Sequence, residues 1–440
     1  MDTSYKNIWH ITYPVLISML VEQLIGITDT AFLGHVGEVE LGASALAGIC
    51  YLILYVIGSG FGMGLQVLVA RLNGEKDDKG VTGIFSTGLY FLSALALVII
   101  IISQLLIPPV LHLIISAEDI YKAACGYLSW RIFGLLFSYV IIAFRSYYVG
   151  ITKTRFLTLC SVVMVIVNIL LDYSLIFGRF GMPRMGIEGA AIGSTIAEMV
   201  AMIMFFVYYY HTKHGKRFYQ FSDINLMLKN LNRILQISIW TMLQSFISLS
   251  SWFIFFLVIE HKGEEQLAIA NIIRSISNIP FMLIQAFAIT GSSLVSNLIG
   301  EGHDENVLYL CRKVIWIGYV FCIPVFFIGF LWPDLYLMIY TDNQQLINDS
   351  VSALYVMQSA YVLTVPAFVY YCAISGTGNT QITLMVGTSS IVIYMVYVII
   401  LAQFTSSVSV LWTAEILYSL LIFSISYWYM KSERWMYKQI

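Results

Sequence analysis

Apolar runs of about twenty residues or more recur along the whole 440-residue chain, and they leave few folds open. A bilayer core about 30 Å thick is crossed by roughly 20 helical residues. Twelve spans are predicted on that basis, at 8–33, 41–70, 81–107, 121–149, 156–177, 187–210, 234–260, 266–299, 307–331, 347–374, 380–402 and 408–430. Charged residues make up only 11% of the chain, too few to cover a soluble surface. The short alternating segments of a β-barrel are not the pattern. The predicted fold is therefore an all-α polytopic membrane protein embedded in a lipid bilayer.

Basic residues set the orientation, because loops on the cytoplasmic side carry the excess of lysine and arginine. With the N-terminus inside, Lys6, Arg71, Lys76, Lys79, Lys153, Arg155, Lys213, Lys216, Arg217, Lys229, Arg233, Arg312, Lys313, Lys431, Arg434 and Lys438 all fall on the inner side. Only Lys122, Arg179, Arg184 and Lys262 fall outside. Both termini are predicted to be cytoplasmic, with the chain in the cell's inner (plasma) membrane. The N-terminal MDTSYKNIWH has no cleavable signal pattern, so the first run is expected to be retained. Net charge is −2, which argues against nucleic acid as a partner. The six cysteines are scattered and form no CxxC pair, so no disulfide or zinc site is expected. There is no HExxH or GxSxG, and no clustered His/Asp set at a span end. An enzyme is not expected, and neither is a cofactor.

An internal repeat organises the chain. GEVEL at 37–41 matches GEEQL at 263–267, NGE at 73–75 matches IGE at 299–301, and GITKT at 150–154 matches GTGNT at 376–380, each at an offset of 226. Six spans per half make this a parallel repeat. The expected plan is an N-lobe over 1–210, a basic cytoplasmic linker over 211–233 and a C-lobe over 234–440, as in an alternating-access transporter. Ser222 or Asp223 could cap a short linker helix whose apolar stripe is Ile224, Met227, Leu228 and Leu231.

The first span, inside WHITYPVLISMLVEQLIGITDTAFLGHVG, carries Glu22 and Asp29. A charge within a membrane helix costs about 2.5–3.5 kcal/mol on insertion scales, so such acids are functional candidates. They are two turns apart and share a face. Asn168 and Asp172 are one turn apart in the fifth span and together could hold a cation or relay a proton. Ser194 and Thr195 follow the small-residue run GAAIG in the sixth span and could add a hydroxyl ligand. At the fixed offset, Asp29 maps to Phe255, Asn168 to Tyr394 and Asp172 to Val398. This one-sidedness points to an ion site in the first half only. Other polar residues inside spans are Gln23, Arg131, Arg145, Glu198, Arg274, Asn278, Gln285 and Glu415. Of these, Gln23, Arg274 and Asn278 join Glu22 as candidates to line a substrate cavity, whereas Glu415 is expected to be a bystander. Pro14 is the candidate kink of the first span.

Three features resemble the MATE (multidrug and toxic compound extrusion) family. They are twelve spans in two lobes, the pattern Pro14…Asp29-Thr30-Ala31-Phe32-Leu33-Gly34-His35-Val36-Gly37 followed by Leu41-Gly42-Ala43, and Asn168-x3-Asp172 followed by Gly186-Ile187-Glu188-Gly189-Ala190-Ala191. The turns Leu72-Asn73-Gly74-Glu75 and Ile299-Gly300-Glu301 are similar to the family's Gly-Glu turns. Within the family, the residues resemble the branch related to the DNA-damage-inducible protein F. That resemblance implies Asp29 as the coupling acid, Pro14 as the kink proline, Asn168 and Asp172 as its polar pair, and a hydroxyl from Ser194 or Thr195. It implies an antiporter that exports amphipathic, mainly cationic, small organic molecules in exchange for H⁺ or Na⁺, acting as a monomer, with Na⁺ (if that is the ion) at Asp29, Asn168 and Asp172. The rival expectation is a flippase of the same superfamily that moves a lipid-linked saccharide and lines its cleft with cationic residues.

Overall fold

The computed structural model describes residues 2–212, 224–341 and 343–436. Among them there is no strand, and the chain runs through fourteen α-helices: α1 Tyr5–Gly34, α2 Glu38–Gly74, α3 Asp78–Ile114, α4 Glu118–Arg131, α5 Gly134–Gly150, α6 Arg155–Phe177, α7 Ile187–Tyr210, α8 Ile224–Glu260, α9 Glu264–Gly300, α10 Val307–Leu331, α11 Pro333–Leu337, α12 Gln344–Gly376, α13 Thr380–Phe404 and α14 Val408–Lys431. Eleven are individually long and apolar enough to cross a membrane, and the bent pair α4–α5 makes a twelfth span. In a bilayer core every backbone N–H and C=O must be satisfied within the segment, which is why these apolar runs become helices.

The fourth span, read from hydropathy as one run, is broken. α4 and α5 meet at 48° across Ile132 and Phe133. The repeat is visible in the helix ends: Gly34 and Glu260, Gly74 and Gly300, and Gly150 and Gly376 close α1 and α8, α2 and α9, and α5 and α12 at one spacing of 226. α12 is continuous where α4–α5 is broken, so the break belongs to the first half alone.

Two compact units divide the chain. One holds Ile17–Asn73 and Asp77–Ser238, and the other holds Met1–Leu16, Gly74–Lys76 and Ile239–Ile440. α1 therefore passes from one unit to the other within a turn of Pro14, a residue that cannot donate to the helix ladder. Its first turns are anchored in the second-half unit, where Trp9 stacks on Phe321 at 3.8 Å between ring centroids and Lys313 Nζ donates to the Thr3 carbonyl at 3.0 Å. α8 also starts in one unit and ends in the other. Ile224–Arg233, assigned from sequence to the linker, are the first turns of α8, continuous with the seventh span. The candidate caps Ser222 and Asp223, with the basic residues Lys213, Lys216 and Arg217, lie outside the described residues.

The first-half unit is held by an aromatic cluster: Phe144 stacks on Phe205 at 5.5 Å, and Phe85 packs on Tyr147 at 4.5 Å. Buried aromatic pairs of this kind add about 0.5–1.5 kcal/mol beyond area burial. α6 ends at Gly178, whose φ of 69° is the left-handed turn that glycine takes without steric cost. That turn starts the loop leading to α7, and Gly189 in the first turns of α7 lies against the backbone of Leu175 near the end of α6. The close approach of α6 and α7 places Asn168 and Asp172 opposite Ser194.

Candidate functional site

The site is built on three helices of the first-half unit. α6 presents Asn168 and Asp172 one turn apart, both fully buried; α7 presents Ser194; and the C-terminal part of α1 presents Asp29. The Asn168 amide nitrogen donates to Asp172 Oδ2 at 2.9 Å and to Ser194 Oγ at 3.1 Å, and Ser194 Oγ donates to Asp29 Oδ2 at 3.3 Å. The two carboxyl groups are within hydrogen-bonding reach of each other. One oxygen of each residue is left over: Asp29 Oδ1, Asn168 Oδ1 and Asp172 Oδ1 are buried with no donor among the described residues. A buried acceptor without a donor costs about 1–3 kcal/mol. Two adjacent acids also repel, so a shared proton or a small cation among these oxygens answers both problems. A sodium ion would find carboxylate, amide and hydroxyl oxygens here, the hard donors that such an ion takes.

Gly193 makes room for this arrangement. A methyl group on it would land on Asp172 Oδ1. Gly193→Ala is expected to displace that carboxylate and lower transport at least about tenfold, at a stability cost of about 1–3 kcal/mol from overpacking. Efflux assays and thermal melting of the purified variant check both halves of the prediction.

Thr195, the alternative hydroxyl, is turned away: its Oγ1 bonds the Trp130 carbonyl at 3.4 Å. Ser194 is the hydroxyl at the cluster. Glu22 lies elsewhere, in an ion pair with Arg145, with Ser161 donating to Glu22 Oε1 at 2.7 Å and Ser18 at 3.4 Å. Gln23 is half-buried beside it in sequence. Arg274 and Asn278 belong to the second-half unit, where Arg274 is exposed, lies 5.3 Å from the Phe256 ring and donates to Asn271 at 3.3 Å, and Asn278 is half-buried.

Reading the sequence missed the Glu22–Arg145 pair and a second one. Arg131 at the end of α4 makes a two-pronged ion pair with Glu198 of α7, at 2.8 and 2.6 Å, and lies 3.9 Å from the Tyr51 ring centre. Arg131 also acts electrostatically on Asp29 and Asp172. The signal was present in the charges: well inside the first-half spans, Arg131 and Arg145 stand against Glu22, Asp29, Asp172 and Glu198. Two pairs form, and the two acids left over are Asp29 and Asp172.

Comparison with known proteins bears on the family and the fold. The MatE family model matches residues 14–174 and 241–400, one match in each half. The chain is similar to a probable multidrug resistance protein NorM of Thermotoga maritima, 24% identical over 377 residues covering 85% of this chain and 80% of that one. It is also similar to a probable NorM of Idiomarina loihiensis, 23% identical over 355 residues covering 78% and 74%. Its fold matches an outward-facing multidrug resistance MATE family transporter of the MOP superfamily with a TM-score of 0.90, at 18% identity, covering 98% of this chain and 96% of that one. With both halves matched to that family model and twelve helical spans to carry them, the chain belongs to the MATE family of membrane transporters.

Proposed function

We propose that the chain exports amphipathic, cationic small organic molecules across the inner membrane, as a monomer, in exchange for H⁺ or Na⁺ held by Asp29 and Asp172. The observation that carries this reading is the trio of buried, donorless oxygens on Asp29, Asn168 and Asp172. Two buried acids without their own cation form a site whose charge changes by one when an ion enters. Ion uptake from outside reduces the negative charge and loosens the hold on a departing cationic substrate. It also changes which groups α1 packs against, and Pro14 gives that helix a place to bend. Ion release inside restores the charge and the affinity. The cycle runs in one direction because ion and substrate favour different states.

The flippase reading asks for free cationic groups to meet a pyrophosphate. Of Arg131, Arg145 and Arg274, the first two are already neutralised by Glu198 and Glu22, which weighs against it. The test is purified protein in vesicles with the proton and sodium gradients set independently and ethidium as the transported cation. One of the two gradients is expected to drive ethidium against its own gradient. Equal ethidium movement with and without both gradients would overturn the coupling.

A further inference from the structure

We propose that Glu415 and the tyrosines around it form a seat in the second-half unit for a permanently charged organic cation, a quaternary ammonium or phosphonium; the inference rests on the export reading above. Glu415 is the eighth residue of α14 and Ser194 the eighth residue of α7. Each meets the helix before it in the same way: Asn168 donates to Ser194 at 3.1 Å, and Tyr394, which stands 226 residues after Asn168, donates to Glu415 Oε1 at 2.9 Å. The repeat therefore places Glu415 in the slot that the coupling hydroxyl fills in the first half. The surroundings differ in kind, since Asp29 and Asp172 are replaced by Phe255 and Val398.

The result is a single carboxylate among aromatic rings. Tyr361, Tyr394 and Tyr418 are its electrostatic neighbours, and no lysine, arginine or histidine among the described residues acts on it. The Tyr418 ring lies 5.7 Å from that of Tyr394. The Tyr371 hydroxyl, also near Tyr418, is buried without a partner. Tyr361 is committed to the Ser277 carbonyl at 3.1 Å and serves as wall. Glu415, Tyr371 and Tyr418 are only half-buried, so the carboxylate and two rings keep accessible surface.

This chemistry selects its ligand. A small hydrated ion needs several oxygen ligands to replace its water, and one carboxylate with scattered hydroxyls is a poor substitute. An organic cation carries its charge on a weakly hydrated apolar body. Aromatic faces attract it through their quadrupoles, and one carboxylate supplies the countercharge. The second half then adds an aromatic carboxylate seat for the cargo to the oxygen cluster of the first.

Equilibrium binding of tetraphenylphosphonium to the purified full-length protein in lipid nanodiscs, with no ion gradient, tests the seat. Glu415→Gln is expected to weaken binding at least about tenfold. Tyr418→Leu should weaken it several-fold while Tyr418→Phe, which keeps the ring, binds as wild type. If Glu415→Gln does not give folded protein by thermal melting, the Tyr418→Leu and Tyr418→Phe pair decides. Wild-type affinity in Glu415→Gln, or equal affinity in the two Tyr418 variants, overturns the seat and leaves the export reading standing. Absence of both binding and tetraphenylphosphonium efflux in the wild-type protein overturns the two together.

Discussion

Asp29→Asn is expected to reduce export to the background of cells without the transporter while the protein still reaches the membrane in normal amount. The amide keeps the volume of the acid and still offers Ser194 an oxygen to donate to, so the packing of α1 on α7 is preserved. What disappears is the group whose charge an ion can change. A proton falling through one pH unit releases about 1.4 kcal/mol, enough to hold a tenfold substrate gradient. A carrier that cannot bind the ion loses all of that drive. The second half offers no substitute, because the position matching Asp29 is Phe255, fully buried against Trp412 at 5.2 Å. Folding should not suffer, since Arg131 is already paired with Glu198 and the substitution orphans no cation. Asp172→Asn should behave in the same way. Efflux of ethidium together with quantified protein in the membrane fraction checks the prediction. Full resistance in either variant would remove the acid pair from the mechanism.

The spans and the acids were legible in the sequence for a simple reason: both depend on the contrast between one residue and its immediate neighbours. An apolar run long enough to cross a bilayer is a local property, and so is a carboxylate that interrupts it. The one-turn spacing of Asn168 and Asp172 was likewise readable from periodicity. The choice between Ser194 and Thr195 was not, because adjacent residues differ by about 100° around the helix and only the packing of α7 on α6 fixes its rotation. The break between α4 and α5 was invisible for a similar reason. No proline marks the bend, and what stands there is tertiary: Arg131 reaches across to Glu198, and Gly134 leaves space where a methyl would meet both side chains.

The register of the repeat shifts between the sixth and twelfth spans. The loop between α6 and α7 runs over 178–186, whereas that between α13 and α14 runs over only 405–407. A fixed offset of 226 sends Ser194 to Leu420, a lipid-type residue that is 45% exposed. Counting from the helix starts instead brings Ser194 onto Glu415. The shorter loop puts Glu415 out of register with Ser194, so a fixed offset does not pair the two.

Glu198→Ala is expected to lower stability by about 3–5 kcal/mol, the usual consequence of removing one partner from a buried ion pair. The pair is well desolvated, with side-chain exposures of 12% for Arg131 and 13% for Glu198. Arg131 cannot escape to water easily, because Tyr51 covers one face of its guanidinium at 3.9 Å and the Tyr51 hydroxyl is itself tied to Ser138 at 3.0 Å. The variant carries a second effect. An Arg131 released from Glu198 is already within electrostatic range of Asp29 and Asp172, so it becomes their countercharge and competes with the coupling ion. Glu198→Ala should therefore fail to transport even where it folds. Removing both charges, as Arg131→Met with Glu198→Met, should recover most of the lost stability, because no uncompensated ion is then left in the interior. It should also recover ion-coupled efflux, since Asp29 and Asp172 are freed from the intruding cation. Thermal melting of the purified variants and vesicle transport measure the two effects separately. A double variant no more stable than Glu198→Ala would assign the cost to lost packing and not to charge. The Glu22–Arg145 pair supplies the internal control: at 23% and 27% exposure, and with Ser161 and Ser18 also on Glu22, its loss through Glu22→Ala should cost less, and it lies outside the Asp29–Asp172 cluster.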